Sequence, residues 1–201
     1  MSALQPDHRL RFLQGFLARP KQVGSIIPSS RFLERKVIRS AGIAQARVVV
    51  ELGPGTGGTT RALLGAMAPD ATLLAIEINP RFAELLLRTP DPRLRVEQGS
   101  AAGLSAALER HGLARPDAIV SGIPFSTMTR EVGAEILRAV HEALAPGGRF
   151  VAYQLRDRVE DLGRAVFGRA AVETVLMNVP PMRVYRWVKD AEDRGARLHR
   201  A

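Results

Sequence analysis

The amino-acid sequence predicts an α/β fold, a parallel sheet covered by helices on both faces and ended by an antiparallel hairpin. Three observations predict it. Between residues 47 and 155, short β-branched runs alternate with segments of helical spacing, the βαβα pattern of a sheet buried on both sides. The last two strand-like runs are separated by too few residues for a crossover helix. A length of 201 residues, 46% apolar and 24% charged, makes one globular domain with a sizeable core.

Taken in order, Arg47-Val48-Val49-Val50-Glu51-Leu52 is the first strand, β-branched and running into glycines. A helix over 59–67 follows. Residues 71–78 form the second strand, ended by Asn79-Pro80, and a helix over 81–87 follows the proline. A third strand at 94–98 and a helix at 104–111 lead to a fourth strand at 117–121. The helix over 129–144 is the clearest. Val132, Ile136, Leu137, Val140 and Leu144 share one face, and Pro146-Gly147-Gly148 stops it. The fifth strand spans 149–155. Runs at 172–179 and 182–188, joined at Pro180-Pro181, form the hairpin, and no internal repeat or second domain is expected after the sheet.

The most informative stretch is Glu51-Leu52-Gly53-Pro54-Gly55-Thr56-Gly57-Gly58. A strand entering closely spaced glycines and then a helix lets a ligand approach backbone N–H groups at the helix start. It can be read as G-x-G-x-x-G, which suggests a dinucleotide, or as E-x-G-x-G-x-G through Glu51, Gly53, Gly55 and Gly57. The second reading is preferred. Pro54 removes a phosphate-facing N–H. Glu51 repels pyrophosphate but pairs with a cationic ammonium group. Only about 45 residues precede the loop, too few for the further substrate domain of a dehydrogenase. Glu77, ending the second strand about twenty residues on, is placed to accept two hydrogen bonds from a ribose diol.

Composition excludes other chemistries. With no cysteine, there is no disulfide framework, thiolate nucleophile, iron–sulfur cluster or Cys-ligated zinc. The four histidines, His8, His111, His141 and His199, are scattered without metal-ligand spacing, so no metal site is expected. No apolar run reaches the roughly 18 residues needed to cross a bilayer, and no basic patch with an apolar run marks a secretion signal, so a cytoplasmic location is expected. The net charge of +9 is uneven. Residues 1–40 carry eight bases against two acids, 41–182 fifteen against fifteen, and 183–201 six against three. Basic ends attract phosphates, on nucleic acid or on an anionic lipid surface. The alternative is compositional bias toward arginine, which supplies 26 of the 29 bases.

The ELGPGTG loop, the AIEIN end of the second strand, the Gly99-Ser100-Ala101 turn, SGIPF after the fourth strand and LAPGGRFV resemble class I S-adenosylmethionine-dependent methyltransferases over residues 45–189. That resemblance implies a Rossmann-like seven-stranded sheet, order 3-2-1-4-5-7-6 with strand 7 antiparallel. It implies S-adenosyl-L-methionine as cofactor, with S-adenosyl-L-homocysteine as product. Gly53, Gly55 and Gly57 would cradle its methionine end, with Glu51 near the amino group and Glu77 on the ribose. Pro54, Thr56, Ile78, Ser100, Ala101 and Ser121 complete the expected cofactor contacts. Ser100 stands where the superfamily usually carries an Asp that meets the adenine amine.

Two segments narrow the resemblance. Residues 11–30 and the closing Asn178–Trp187 are similar to bacterial phospholipid N-methyltransferases, which convert phosphatidylethanolamine toward phosphatidylcholine, and to ornithine-lipid N-methyltransferases. Related rRNA adenine dimethyltransferases carry Asn-Ile/Leu-Pro-Phe/Tyr where this chain has Gly122-Ile123-Pro124-Phe125. Gly122 removes the amide that would hold the base. The expected organisation is a basic amphipathic helical arm at 1–44, the methyltransferase domain at 45–189, and a basic, disordered tail at 190–201.

The arm also reads physically. On a helix from His8 to Arg19, Leu10, Phe12, Leu13, Phe16 and Leu17 fall in an arc of roughly 160° on which Arg9 intrudes, with Arg11, Gln14 and Arg19 on the other side. Two rings on a basic amphipathic helix fit an interfacial membrane segment, with Phe12 and Phe16 in the headgroup boundary and Arg11, Arg19 and Lys21 on phosphates. Packing of the same face on the sheet is the alternative. The expected reaction is N-methylation of an aminophospholipid headgroup, phosphatidylethanolamine or a relative, by an enzyme peripherally bound to an anionic inner-membrane surface. Candidate catalytic residues are Ser121, Gly122, Pro124, Phe125 and Tyr153. RNA adenine N6-methylation is the alternative that the basic ends favour and Gly122 disfavours. A non-catalytic binder on the same fold is the third, disfavoured by the intact Glu51, glycine and Glu77 set.

Overall fold

A computed structural model of the chain describes residues 30–191. The strands are β1 (Val48–Leu52), β2 (Thr72–Glu77), β3 (Leu94–Gln98), β4 (Ala118–Ser121), β5 (Arg149–Gln154), β6 (Ala171–Val175) and β7 (Met182–Val188). They form one sheet of order β3-β2-β1-β4-β5-β7-β6. The pairs from β3 through β5 are parallel, and β7 runs antiparallel to both β5 and β6. Order and strand direction match the expectation from the sequence.

Alternation along the strands sorts two cores. Val50, Leu74, Ile119 and Phe150 face α4 (Leu104–Arg110), α5 (Arg130–Ala143) and α6 (Arg158–Phe167). Val49, Leu73, Val120 and Val151 face α1 (Arg31–Ala41) and α2 (Gly58–Ala66). The remaining helix, α3 (Pro80–Leu87), follows β2. Trp187 and Phe150 stack with centroids 5.4 Å apart and Phe167 covers both, so β5, β7 and α6 are joined by aromatic pairs of about 0.5–1.5 kcal/mol each beyond their burial.

α1 begins at Ser30, whose hydroxyl accepts the Leu33 N–H at 3.2 Å, and ends at left-handed Gly42. Leu33, Val37 and Ala41, spaced for one helical face, are buried on the sheet. Thr129 caps α5 in the same way. The far end of α5 is held by Lys189, a buried cation that donates to the His141 and Leu144 carbonyls at 2.7 and 3.1 Å.

Two differences from the sequence reading are physical. α6 was not anticipated, because Gly163 interrupts its pattern; a Cβ there would lie 2.8 Å from Trp187 Cζ2, so packing demands the glycine. The strand expected over 172–179 ends at Val175, because Asn178 turns inward and the chain reverses before Met182. The interfacial helix expected from residues 8–21, with Phe12, Phe16, Arg11, Arg19 and Lys21, lies outside the described residues, as does the tail beyond 191.

Candidate active site

Strand order reverses between β1 and β4, and in such sheets ligands bind outside the carboxyl ends of the strands at that point. The side chains singled out by sequence lie there. Glu51 and Glu77 close β1 and β2, Ser121 ends β4, and Tyr153 and Gln154 end β5.

The glycine loop is built by backbone. Gly53, Gly55 and Gly57 have φ of +69°, +57° and +80°, a region that other residues enter only with strain. Protein atoms crowd two of them: a Cβ on Gly53 would lie 2.9 Å from Ile123 and one on Gly57 2.9 Å from Leu86. Gly55 has nothing within 4 Å of that position, so the loop is open above its centre. Pro54 is buried and Thr56 exposed.

Glu77 holds this loop. Its carboxylate accepts the Gly55 N–H at 2.9 Å through one oxygen and the Asn79 N–H at 2.8 Å through the other. Burial raises its pKa, and these backbone N–H groups together with that of Ile78 oppose the rise. The three N–H groups take three of the four lone-pair sites on the two oxygens, which leaves one for a ligand hydroxyl.

Glu51 is fully buried on the side facing α2, where Thr60 donates to Oε2 at 2.6 Å. Oε1 has no partner. Burial pushes the Glu51 pKa up to about 7, the Thr60 hydroxyl opposes this, and the negative charge of Glu77 adds to it. A buried carboxylate oxygen without a donor fits a cation arriving from outside the protein. The open space over Gly55, the unpartnered oxygen of Glu51 and the carboxylate of Glu77 thus meet at the carboxyl ends of β1 and β2.

At the neighbouring strand ends, the Ser121 hydroxyl accepts the Ile123 N–H at 3.3 Å, and Gln154 clamps the loop after β4. Its amide donates to the Ile123 carbonyl at 2.7 Å and accepts the Phe125 N–H at 3.3 Å. The Pro124 carbonyl is taken by the Thr127 hydroxyl at 2.7 Å. Phe125, expected in the acceptor site, is 0% exposed and packed in the core, so it anchors the loop and offers no open ring face. Ser100 caps the turn after β3 through the Ala102 N–H, Ala101 is buried and Ile78 half-buried.

Tyr153 explains Gly122. A Cβ on Gly122 would lie 2.5 Å from the Tyr153 hydroxyl oxygen, 3.0 Å from Cζ and 3.1 Å from the Gly53 carbonyl. The tyrosine fills the space that any side chain at 122 would occupy. Its hydroxyl lies 3.2 Å from Thr59 Oγ1. Burial first, and the charge of Glu51 second, hold the phenol above its ordinary pKa, so it stays protonated and is not a proton acceptor. Sequence reasoning missed Thr59, Thr60 and Gln154. A polar residue closing an apolar strand was the available signal for Gln154.

Residues 49–148 match the family model described as "Methyltransferase domain". The chain is 35% identical to the ornithine lipid N-methyltransferase of Singulisphaera acidiphila over 141 residues, 69% of this chain and 73% of that protein. It is 37% identical over 99 residues to ribosomal RNA small subunit methyltransferase A of Caulobacter vibrioides, 48% of this chain but 36% of that enzyme. Among solved structures, 1,6-didemethyltoxoflavin-N1-methyltransferase of Burkholderia thailandensis, determined with S-adenosylhomocysteine, superposes with TM-score 0.68 at 17% identity, covering 94% of this chain and 92% of that one. The O-methyltransferase TomG of Streptomyces achromogenes, in complex with S-adenosylmethionine, gives 0.65 at 17% identity over 93% and 92%.

Proposed function

The chain belongs to the class I S-adenosylmethionine-dependent methyltransferases, and from that premise we propose that it methylates the amine of a phospholipid headgroup, phosphatidylethanolamine or a related aminolipid, at a membrane surface. The observation that carries this is the long match to a lipid N-methyltransferase, which extends over more of both chains than the rRNA matches do.

The cofactor is S-adenosylmethionine, which supplies a methyl group on a sulfonium centre. We assign its ammonium to the unpartnered Oε1 of Glu51, its ribose to Glu77, and its methionine end to Gly53, Pro54, Gly55, Thr56 and Gly57. Ile78, Ser100 and Ala101 flank the adenine in this assignment. For the acceptor, the Ile123 and Pro124 carbonyls are engaged and the fully buried Ser121 hydroxyl is held by the Ile123 N–H, which leaves the Gly122 carbonyl to orient the amine. Pro124 and Phe125 hold the loop in shape, and Tyr153 shields the site from water as a neutral donor.

The Gly122–Tyr153 contact also weighs against RNA. An adenine-holding amide at 122 has no room beside the tyrosine. The test is incubation with methyl-labelled S-adenosylmethionine, vesicles of phosphatidylethanolamine and phosphatidylglycerol, vesicles containing ornithine lipid, and rRNA. Label in a lipid fraction is expected; label confined to rRNA overturns the proposal.

A further inference from the structure

The turn between β6 and β7 is the most exposed apolar segment among the described residues. Leu176, Met177 and Val179 are 74%, 65% and 87% exposed, and no charged residue occurs from Val175 through Met182 in a chain that is 24% charged. An ordinary surface turn of polar residues would need no explanation; three adjoining apolar side chains held in water do. The turn is also firmly built. Asn178, between them, is 1% exposed, donates to the Pro180 carbonyl at 2.9 Å, and accepts the Ser30 N–H at 2.9 Å. Its inward side chain fixes the neighbours outward.

Position gives the turn its meaning. Val175 pairs with Met182, and Gln154 at the carboxyl end of β5 pairs with Arg183. The tip therefore projects from the same sheet edge as Glu51, Glu77 and Ser121. Leu155, just past β5, adds an exposed apolar side chain there, and Arg31 and Arg156 are exposed nearby in sequence to the two junctions. The 29 residues before Ser30 carry four bases against one acid together with Phe12 and Phe16, and they join the fold at the residue that Asn178 holds.

We propose that Leu176, Met177 and Val179 form a tip that inserts into the headgroup–acyl boundary of a lipid bilayer, seating the candidate active-site edge on the membrane that contains the substrate. This deepens the lipid reading above and rests on it. A bilayer is the occupant because the side chains protrude. A helix, including one from the chain's own first 29 residues, buries its apolar face in a groove, whereas a lipid interface accepts a convex knob with arginines behind it.

The chain has no cysteine, so Met177→Cys provides a unique site for a nitroxide label on the full-length protein. Leu87→Cys, 67% exposed at the far end of α3, is the control. On phosphatidylethanolamine–phosphatidylglycerol vesicles, the label at 177 should become more accessible to oxygen and less to a water-soluble nickel chelate, while the label at 87 should not change. The Leu176→Ser/Met177→Ser/Val179→Ser variant should lose about tenfold in vesicle partitioning with cofactor affinity retained. If the protein methylates lipid while the label at 177 stays in water, or if that label is shielded before vesicles are added, the tip does not enter the membrane and the proposal falls. If the label enters the bilayer but lipid takes up no methyl group, the tip stands and the substrate assignment falls instead.

Discussion

Gly122 and Tyr153 should behave as one unit. In Gly122→Ala the new methyl group meets the Tyr153 hydroxyl at 2.5 Å and the Gly53 carbonyl at 3.1 Å, with the backbone on both sides fixed by strands. Overpacking of this kind costs about 2 kcal/mol. Tyr153→Phe removes the closest of those contacts and loses the hydrogen bond to Thr59, which costs about 1 kcal/mol by itself. Independent sites would give about 3 kcal/mol for the double variant. Because the hydroxyl is the main obstacle, the double variant should cost only about 2 kcal/mol, a coupling of about 1 kcal/mol. Urea unfolding of the four proteins measures it, provided the slope with denaturant is common to all. Additive losses would mean that the Gly53 carbonyl or Tyr153 Cζ, at 3.1 and 3.0 Å, sets the limit, and the account of Gly122 would be wrong.

Glu77→Ala should weaken S-adenosylmethionine binding by about 1.5–3 kcal/mol in calorimetry, since charge-assisted bonds to the ribose are lost and the Gly55 N–H is released; unchanged affinity would refute the ribose assignment. Glu51 is a carboxyl whose folded pKa is raised from 4.5 to about 7, so the folded protein keeps a proton that the unfolded chain has released. Its contribution is therefore complete below pH 4.5 and is lost as pH rises toward 7. That amounts to roughly 3 kcal/mol, and Glu51→Gln should flatten this part of the stability profile measured by urea midpoints. Cofactor affinity should increase several-fold between pH 6 and 8, as Glu51 ionises to meet the ammonium, and titration calorimetry in buffers of different ionisation enthalpy should detect a released proton. Lys189→Met leaves the His141 and Leu144 carbonyls without their cation and should destabilise the fold by about 2 kcal/mol in thermal or urea unfolding.

Strands and the glycine loop were legible in the sequence because buried parallel strands are apolar without interruption and positive φ demands glycine. Glu51 and Glu77 stood out for the converse reason, as acids at the ends of apolar runs. What periodicity does not carry is contact between distant segments. Gly122 reads as a missing amide in sequence; only the register of β4 beside β5 reveals the tyrosine that requires it. Gln154 and Thr60 act through partners 31 and 9 residues away, so their roles have no local pattern. Phe125 illustrates the opposite limit, since an aromatic near a ligand loop and an aromatic in a core have the same signature. At Leu176–Val179 the equation of apolar with buried failed outright.

Among the described residues, the last strand lies inside the sheet. β7 is enclosed by β5 and β6, and Gly147 and Gly148 exchange backbone hydrogen bonds with Lys189 just beyond it. During synthesis β1 through β5 are available first, but one edge of β5 has no partner until residues 182–188 have left the ribosome, a wait of several seconds at about 5–20 residues per second. Throughout that interval Phe150 lacks Trp187, and an open β strand is exposed to other nascent chains. Loss of residues 182–188 would thus leave β5 with an open edge and cut β6 off from the sheet, a larger loss than trimming the margin strand itself.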